Sequence, residues 1–476
     1  MVTGRGSALF LSMPLNGYKE CTLSKMNKSI KNFYGVGEMF FSFMVCLEVY
    51  FMMVFLTDIL QLDVAIAGTI VSITAMGDLI TSFIAGGIVD KSSMRWGKYR
   101  SWLLFAPAIA SIFFVLQFSG FGSAKTAGVI FTISYLISHT LWNVFYAASR
   151  ALAGVVTDDP TERAHISGRI SAWMNAGRIG GSKLIIVMII FFATCFGGSE
   201  NQLIGYTITA LITSIFMCVG YLIHFKITEG YDLPEQKSDA AADKGKVTVA
   251  DMLQGVAKNP PLISVLFCEF LRLSGYYMMT ALAAYYCKLV LGNPVAIGNL
   301  LVVMNITSLL GALLSKSFVE KIGTKMTTAM GMAGAAIMMV VAMFVSPNLP
   351  AVTVCMGISQ LFYGVSFGLT TSLYANASTY AEYSTGKNTT GFIMGLLAFS
   401  IKGAIFIRGL IITGVLAFIG YSTEMTITDQ VISHTTTGFF IVPAALMALG
   451  IIPLLSMKLK DSDVQEMRRA IEARKK

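Results

Sequence analysis

Charged residues are scarce in this sequence. Asp, Glu, Lys and Arg make up 13% of its 476 residues, whereas ordinary soluble proteins contain about 25%. Hydrophobic residues make up 55% of the chain, and the mean hydropathy is +0.69. The composition therefore excludes an ordinary soluble protein and indicates a chain that crosses a membrane many times.

Three further absences narrow the possible functions. The seven cysteines include no Cys-x-x-Cys pair and mostly lie in apolar stretches, which predicts packing residues instead of a disulfide or metal framework. No HExxH, GxSxG, Walker A or kinase signature occurs, so we expect neither an enzyme nor a cofactor, and an ion gradient is the expected energy source. Because no aromatic-basic pattern of nucleic-acid binding is present, the net charge of +9 is better explained by an anionic membrane surface.

Apolar windows of membrane-spanning length dominate what the sequence does contain. A spanning segment must satisfy its own backbone hydrogen bonds, so each window is expected to be a helix. Twelve windows occur, at residues 34–57, 65–89, 101–122, 126–149, 165–196, 203–225, 261–290, 295–318, 326–346, 350–380, 391–420 and 434–457. The predicted divisions are a segment at 1–33, a six-helix half at 34–226, a polar linker at 227–260, a second half at 261–457 and a tail at 458–476. We predict an all-α membrane protein.

Lys and Arg are concentrated in every second loop between the windows. The loop at 90–100 holds four of them and the tail holds seven, while the intervening loops are nearly free of positive charge. Basic residues concentrate in cytoplasmic loops, so both termini are predicted in the cytoplasm of a multi-pass protein of the plasma membrane. We expect a monomer.

The two halves repeat one pattern. Asp90-Lys91 and Gly97-Lys98 follow the second window, and Glu320-Lys321 and Gly323 follow the eighth. Duplicated six-helix bundles with a cavity between them form the major facilitator fold, which we predict here. Charged residues in and near these loops are predicted to close a cytoplasmic gate: Asp90, Arg95, Lys98, Arg100, Arg163, Glu320 and Lys321.

Asp78 is the most informative charge inside a window, since it lies about midway between Asp63 and Asp90. An acid at such depth is costly and therefore predicts a functional site, the alternative being a neutral Asp hydrogen-bonded to a neighbouring helix. Helical spacing puts it on one face with Thr81 and Ser82. The cation-coupling residues predicted from this stripe and from a midplane lysine are Asp78, Thr81, Ser82 and Lys402, with Lys402 neutralising Asp78 when no cation is bound.

Polar and aromatic residues of other windows suit a polyhydroxylated ligand, because amides hydrogen-bond hydroxyls and rings pack on sugar C–H groups. The predicted substrate-binding residues are Glu38, His139, Asn143, Tyr146, Arg169, Trp173, Phe367, Thr370 and Lys402. Arg169 is expected to pair with Glu38 or to bind the substrate, and Asn143 alternatively makes a helix–helix hydrogen bond.

The remaining intramembrane charges allow more than one interpretation. Glu48 is either a proton carrier or half of an ion pair, and Arg178 and Lys183 either face the cavity or meet acids such as Glu48. Glu269 and Arg272, three residues apart on one helix, predict a structural pair.

Several short motifs resemble the glycoside-pentoside-hexuronide:cation symporters, the melibiose permease family, over nearly the whole chain. They are Tyr34-Gly35-Val36-Gly37-Glu38, Gly77-Asp78, Arg95-Trp96-Gly97-Lys98-Tyr99-Arg100, Thr161-Glu162-Arg163 with Arg169, Tyr380-Ala381-Glu382-Tyr383 and Lys402-Gly403. The resemblance implies import of a sugar or glycoside driven by Na+ or H+. It also implies sugar-site roles for Glu38, Asn143, Arg169, His139 and Phe367, a cation-site acid at Asp78 and a linking lysine at Lys402.

The chain departs from the family pattern at three acids. Ser82 replaces the second acid of the second helix, and Asn143 and Asn376 replace acids of the fourth and tenth helices. Na+ prefers several oxygen ligands with compensating charge, whereas a proton needs one titratable acid, so H+ is predicted over Na+. The alternative is a facilitator-type transporter of a drug, a lipid-like molecule or an organic acid, exporting or uncoupled.

Overall fold

The computed structural model describes residues 27–157, 160–196, 202–232, 256, 258–386, 390–422 and 424–475. These residues are almost entirely helical, as expected where lipid offers the backbone no hydrogen-bond partners. The helices are α1 (Lys28–Phe33), α2 (Val36–Val54), α3 (Val64–Lys91), α4 (Arg100–Gln117), α5 (Ala124–Val156), α6 (Pro160–Phe196), α7 (Gln202–Ile227), α8 (Pro260–Leu289), α9 (Ala296–Phe344), α10 (Leu349–Phe367), α11 (Thr370–Thr385), α12 (Thr390–Ile419), α13 (Asp429–Ser456) and α14 (Asp461–Lys475). A π-helical turn, Phe55–Ile59, extends α2.

The predicted twelve crossings are present. Within the described residues, eleven helical spans are long and apolar enough to cross a membrane. One of them, α9, has 49 residues and bends at Gly323, whose φ is 77°. At ~1.5 Å per residue α9 is more than twice as long as the ~30 Å hydrocarbon layer is thick, so it crosses twice. The two arms of α9 correspond to the predicted windows at 295–318 and 326–346.

The helices pack as two halves. Helices α2 to α7 contact one another, as do α8 to α13, and the halves meet where α3 packs on α12, α6 on the first arm of α9, and α2 on α8. The predicted major facilitator fold is confirmed. Most of the predicted linker at 227–260 lies outside the described residues.

The pattern repeated in the two halves has a structural cause. In the first half, Asp232 follows α7, and its carboxylate accepts hydrogen bonds from the backbone N–H groups of Tyr99 (2.6 Å) and Arg100 (2.8 Å), where α4 begins. In the second half, Asp461 follows α13 and accepts from the backbone N–H of Thr324 at 2.7 Å. A carboxylate is favourable at the start of a helix because it pairs with unsatisfied N–H groups. We call the side of the bundle with Asp232 and Asp461 the terminal face.

The halves are joined by a polar cluster at the opposite face. The Lys288 ammonium lies 2.6 Å from the Asp58 carboxylate, and the Tyr421 hydroxyl donates to the same carboxylate at 2.6 Å. The hydroxyls of Thr57 and Tyr285 are 2.9 Å apart. Asp58 and Thr57 belong to the first half and their partners to the second, so this conformation is closed at the opposite face.

The described residues of the predicted gate contact their own halves. Arg100 donates to the Phe225 carbonyl at 2.9 Å, and Arg95 lies over the ring of Trp96 at 5.6 Å. Lys98 lies over the ring of Tyr99, and Glu320 is 3.9 Å from Lys316, while Lys321 is exposed. The side chains of Asp90 and Arg163 lie outside the described residues. Closure of the terminal face by these residues stays a prediction.

Gly97 allows a test of the capping by Asp232. Its φ is 103°, and an added Cβ would approach the Asp232 carbonyl oxygen to 2.2 Å. Gly97→Ala is therefore expected to lower the stability of the folded protein by roughly 1–3 kcal/mol. Thermal unfolding in detergent, followed with a thiol-reactive dye, measures the loss. Gly86→Ala is the matched control because an added Cβ there meets nothing within 4 Å. Equal melting temperatures for both variants would contradict this role of Gly97.

Candidate functional site

A cavity of about 300 Å³ lies between the two halves. A buried polar cavity at the interface between repeats is where transporters of this architecture bind their ligands. The lining residues come from α2, α3, α5, α6, α8 and α12: Phe41, Val45, Cys46, Glu48, Val49, Tyr50, Asp78, Tyr135, His139, Trp142, Asn143, Tyr146, Arg178, Tyr276, Tyr277, Leu397, Ala398, Ile401, Lys402 and Ile405.

One ion pair crosses this cavity from half to half. The Lys402 ammonium lies 2.6 Å from Oδ1 of Asp78 and donates to the side-chain carbonyl of Asn143 at 2.9 Å. The Asn143 amide nitrogen in turn donates to Oδ1 of Asp78 at 2.8 Å. The predicted pairing of Lys402 with Asp78 is therefore present. Asn143 forms a hydrogen bond with each charged group. The hydrogen bond between helices that was the alternative prediction for Asn143 is therefore also present.

Of the other two residues predicted for the cation site, Thr81 joins the network around Asp78 and Ser82 does not. Thr81 accepts a hydrogen bond from the Asn143 amide at 3.1 Å and so belongs to the same network. Ser82 donates to the backbone carbonyl of Leu79 at 2.6 Å. The stripe seen in the sequence thus brings Thr81 to Asp78 through Asn143, while the Ser82 hydroxyl is engaged by its own helix.

A second charged cluster lies in the same wall of the cavity, wholly within the first half. Nε2 of His139 is 3.2 Å from both carboxylate oxygens of Glu48. The Tyr135 hydroxyl donates to Glu48 at 3.1 Å, and the Tyr135 carbonyl lies 3.1 Å from Nδ1 of His139. Glu48 and His139 are 7% and 4% exposed. The partner of Glu48 is thus His139, a residue predicted for the substrate site. This agrees with the interpretation of Glu48 as half of a pair.

Arg178 is the uncompensated cation of the described cavity lining. Its side chain makes no hydrogen bond and has no carboxylate within 4.0 Å among the described residues, although it lines the cavity beside Tyr276 and Tyr277. A guanidinium has five N–H donors that need acceptors. The interpretation that Arg178 faces the cavity is confirmed, and its free donors are available to a ligand.

Glu38, predicted for the sugar site, lies elsewhere. It is fully buried inside the first half, where Ser149 donates to its carboxylate at 3.4 Å and Arg150 lies 3.8 Å away. Its cation is therefore Arg150, and the expected pairing with Arg169 is wrong. The reason is that Arg169 is exposed toward the terminal face, on the same helix as Trp173, whose indole donates to the Asn32 carbonyl at 2.9 Å.

Phe367 and Thr370 surround a pair in the second half and lie outside the cavity lining. Arg272 and Glu269 are in contact and fully buried, and Thr370 accepts from Arg272 at 2.9 Å and donates to Glu269 at 3.2 Å. The ring of Phe367 covers the Arg272 guanidinium at 5.3 Å. The predicted pair of Glu269 and Arg272 is confirmed, and the direct sugar contacts of Phe367 and Thr370 stay predictions.

Comparison with known proteins identifies the family. A family model described as MFS/sugar transport protein matches residues 33–461. The chain belongs to this family. The members of the MFS/sugar transport family to which it is similar are transporters, and this chain is a transporter, not an enzyme.

Relatives and solved structures agree with this assignment. The glucuronide carrier protein homolog of Escherichia coli (strain K12) is 25% identical over 93% of this chain and 95% of that protein. The isoprimeverose transporter of Lactiplantibacillus pentosus is 24% identical over 86% of this chain and 84% of that protein. An inward-facing, unoccupied crystal structure of a bacterial homologue of the human lysosomal transporter Spinster matches with a TM-score of 0.66 and 14% identity, covering 90% of this chain and 98% of that one. That last likeness shows the fold alone.

Sequence reasoning missed several residues that this MFS/sugar transporter places in the cavity. Tyr50, Tyr135, Trp142, Tyr276 and Tyr277 line it together with the predicted residues. Tyr135 lies four residues before His139, so helical spacing places both on one face. Tyr276 and Tyr277 carry no comparable signal, because only the approach of the second half brings α8 against the cavity.

The cavity-crossing ion pair predicts a double-mutant effect. Lys402→Met and Asp78→Asn each leave one charge of a buried pair without its partner, which is expected to cost about 3–5 kcal/mol. The double variant Asp78→Asn with Lys402→Met removes both charges and is expected to recover most of that loss. Thermal unfolding of the four proteins measures the coupling.

The control for that cycle is Lys316→Met. It breaks an exposed pair with Glu320, in which the side chains are 86% and 65% accessible, and should cost less than ~1 kcal/mol. Additive effects of the Asp78 and Lys402 substitutions would show that the two side chains do not stabilise each other.

Proposed function

We propose that this protein transports a sugar or glycoside across the membrane by alternating access, coupled to the movement of H+. The cavity-crossing pair of Asp78 and Lys402 carries the proposal. It places one partner of a buried charge pair in each half, at the wall of the cavity that would hold the substrate. A change in the relative position of the halves must break or re-form this pair, which links the site to the conformation.

The chemistry of the lining supports a polyhydroxylated substrate. Asn143 and His139 offer hydrogen-bonding groups, and Trp142 and Tyr146 offer ring faces against which sugar C–H groups pack. Arg178 adds free donors on the facing wall. The similarity to a glucuronide carrier homolog and to an isoprimeverose transporter points to the same substrate class.

Two observations support H+ over Na+ as the coupling ion. In the described residues no group of three or more His, Cys, Asp or Glu side chains is arranged to hold a metal ion. The Asp78 carboxylate already interacts with Lys402 and Asn143, whereas Na+ needs several free oxygen ligands. We further propose import across the plasma membrane by a monomer with cytoplasmic termini, so that the terminal face is the cytoplasmic one.

Transport into proteoliposomes tests the proposal. Labelled sugars and glycosides, neutral and acidic, are offered with and without an imposed pH gradient, and one of them is expected to accumulate only with the gradient. Asp78→Asn is expected to abolish accumulation while exchange of labelled for unlabelled substrate continues, because exchange needs binding but no net coupling. Uptake that ignores the gradient would refute symport, and a silent Asp78→Asn would refute a role of the Asp78–Lys402 pair in coupling.

Arg178 gives a separate prediction about binding. Arg178→Gln removes the charged donors, and a lost hydrogen bond to a charged group weakens substrate binding by roughly 10- to 100-fold. Half-saturation of exchange measures the change. Lys183→Gln is the control, since Lys183 lies on the same helix but is exposed and outside the cavity lining. Equal half-saturation in the two variants would place Arg178 outside the substrate site.

A further inference from the structure

The contacts of His139 restrict where its proton resides. Nδ1 lies 3.1 Å from the Tyr135 carbonyl oxygen, which can only accept a hydrogen bond, so Nδ1 carries hydrogen. The Ser138 hydroxyl, 3.3 Å from Nδ1, can donate to the same carbonyl at 3.0 Å and does not change this assignment. A neutral ring with hydrogen on Nδ1 presents a bare lone pair at Nε2.

That lone pair would face a carboxylate. Nε2 is 3.2 Å from both oxygens of Glu48, and the Glu48 side chain is 7% exposed. An imidazole lone pair and an ionised carboxylate repel at this distance, whereas one added proton between them makes a hydrogen bond in either of its two positions. The geometry therefore requires the pair to hold one proton, which belongs to the pair more than to either residue.

We infer that the Glu48–His139 pair is the binding site of the coupling proton. This inference rests on the proposed function and specifies where its ion binds. The pair lines the substrate cavity, so substrate and proton are bound within the same space. Buried acids and histidines in series are the usual carriers of protons through membrane transporters.

Charged and titratable groups surround the pair on several helices. Tyr135 of α5 and Tyr50 of α2 border it within the first half, and Asp78 of α3 acts on Tyr135 from the same side. Lys402 is neutralised by Asp78 and donates a hydrogen bond to Asn143, and Arg178 of α6 lies on the cavity wall. Tyr276 and Tyr277 of α8 line the cavity on the side of the second half, and Cys46 and Tyr146 are further titratable groups of its lining.

Arg408 gives the pair its dependence on conformation. It is a buried cation of α12, in the second half, and donates to the Val49 carbonyl at 3.5 Å, next in the chain to Glu48. Its charge acts on Glu48 and Tyr135. A nearby cation disfavours an added proton. Because Arg408 belongs to the second half, its distance from the pair changes when the halves move apart.

The fluorescence of Trp142 can detect the proton on the Glu48–His139 pair in the absence of substrate. Its ring centroid lies 4.2 Å from that of His139, and a protonated imidazole quenches the fluorescence of an adjacent indole. In purified protein the fluorescence is expected to rise in one step as pH increases and the proton leaves. His139→Gln should abolish the step. His434→Gln, at a half-buried histidine outside the cavity lining, is the control and should leave the step in place.

Transport measurements test the proton site separately from the proposed function on which it rests. Glu48→Gln is expected to retain substrate exchange but to lose substrate-driven H+ uptake, and with it the about tenfold accumulation that one coupled proton supports per pH unit. Absence of exchange in the unsubstituted protein for every sugar offered would refute the proposed function alone. A fluorescence step that survives in His139→Gln, or H+ uptake that survives in Glu48→Gln, would overturn the proton site.

Discussion

A buried charge in a membrane bundle is costly unless it meets a partner, and Asp78 and Lys402 meet as partners between the two halves. Its 2.6 Å contact joins α3 to α12 across the cavity, and Asn143 supplies a hydrogen bond to each partner. In a medium of low dielectric constant, separating such a pair without a substitute is costly. The relative position of the halves therefore depends on what else the cavity contains.

Two further buried acids are paired inside one half. Glu38 lies near Arg150, and Glu269 contacts Arg272. These pairs can move with their half as rigid units, since the partners found among the described residues lie in the same half. Glu38, predicted from sequence as a ligand contact, thus has a cation of its own half beside it.

Much of the fold was predictable because its signals are local. Window length specified the crossings, and the glycines at 97 and 323 marked turns that need positive φ. The site was predictable where spacing along one helix decides it, as for His139, Asn143 and Tyr146. Which cation pairs with a given buried acid was harder to predict from the sequence. Depth alone matched Glu38 with Arg169, but the rotation of α6 turns Arg169 outward and leaves Arg150 of α5 beside Glu38.

The two charged clusters of the cavity suit different tasks. Asp78 and Lys402 belong to different halves, so their pair changes whenever the halves move. Glu48 and His139 belong to one half, so a proton between them can be kept while the cavity changes its opening. Coupling needs both properties, because a carried ion must stay bound through the transition while its affinity changes at the end. In the proposed mechanism Arg408 is the group that can supply that change, since it belongs to the second half and contacts the backbone beside Glu48.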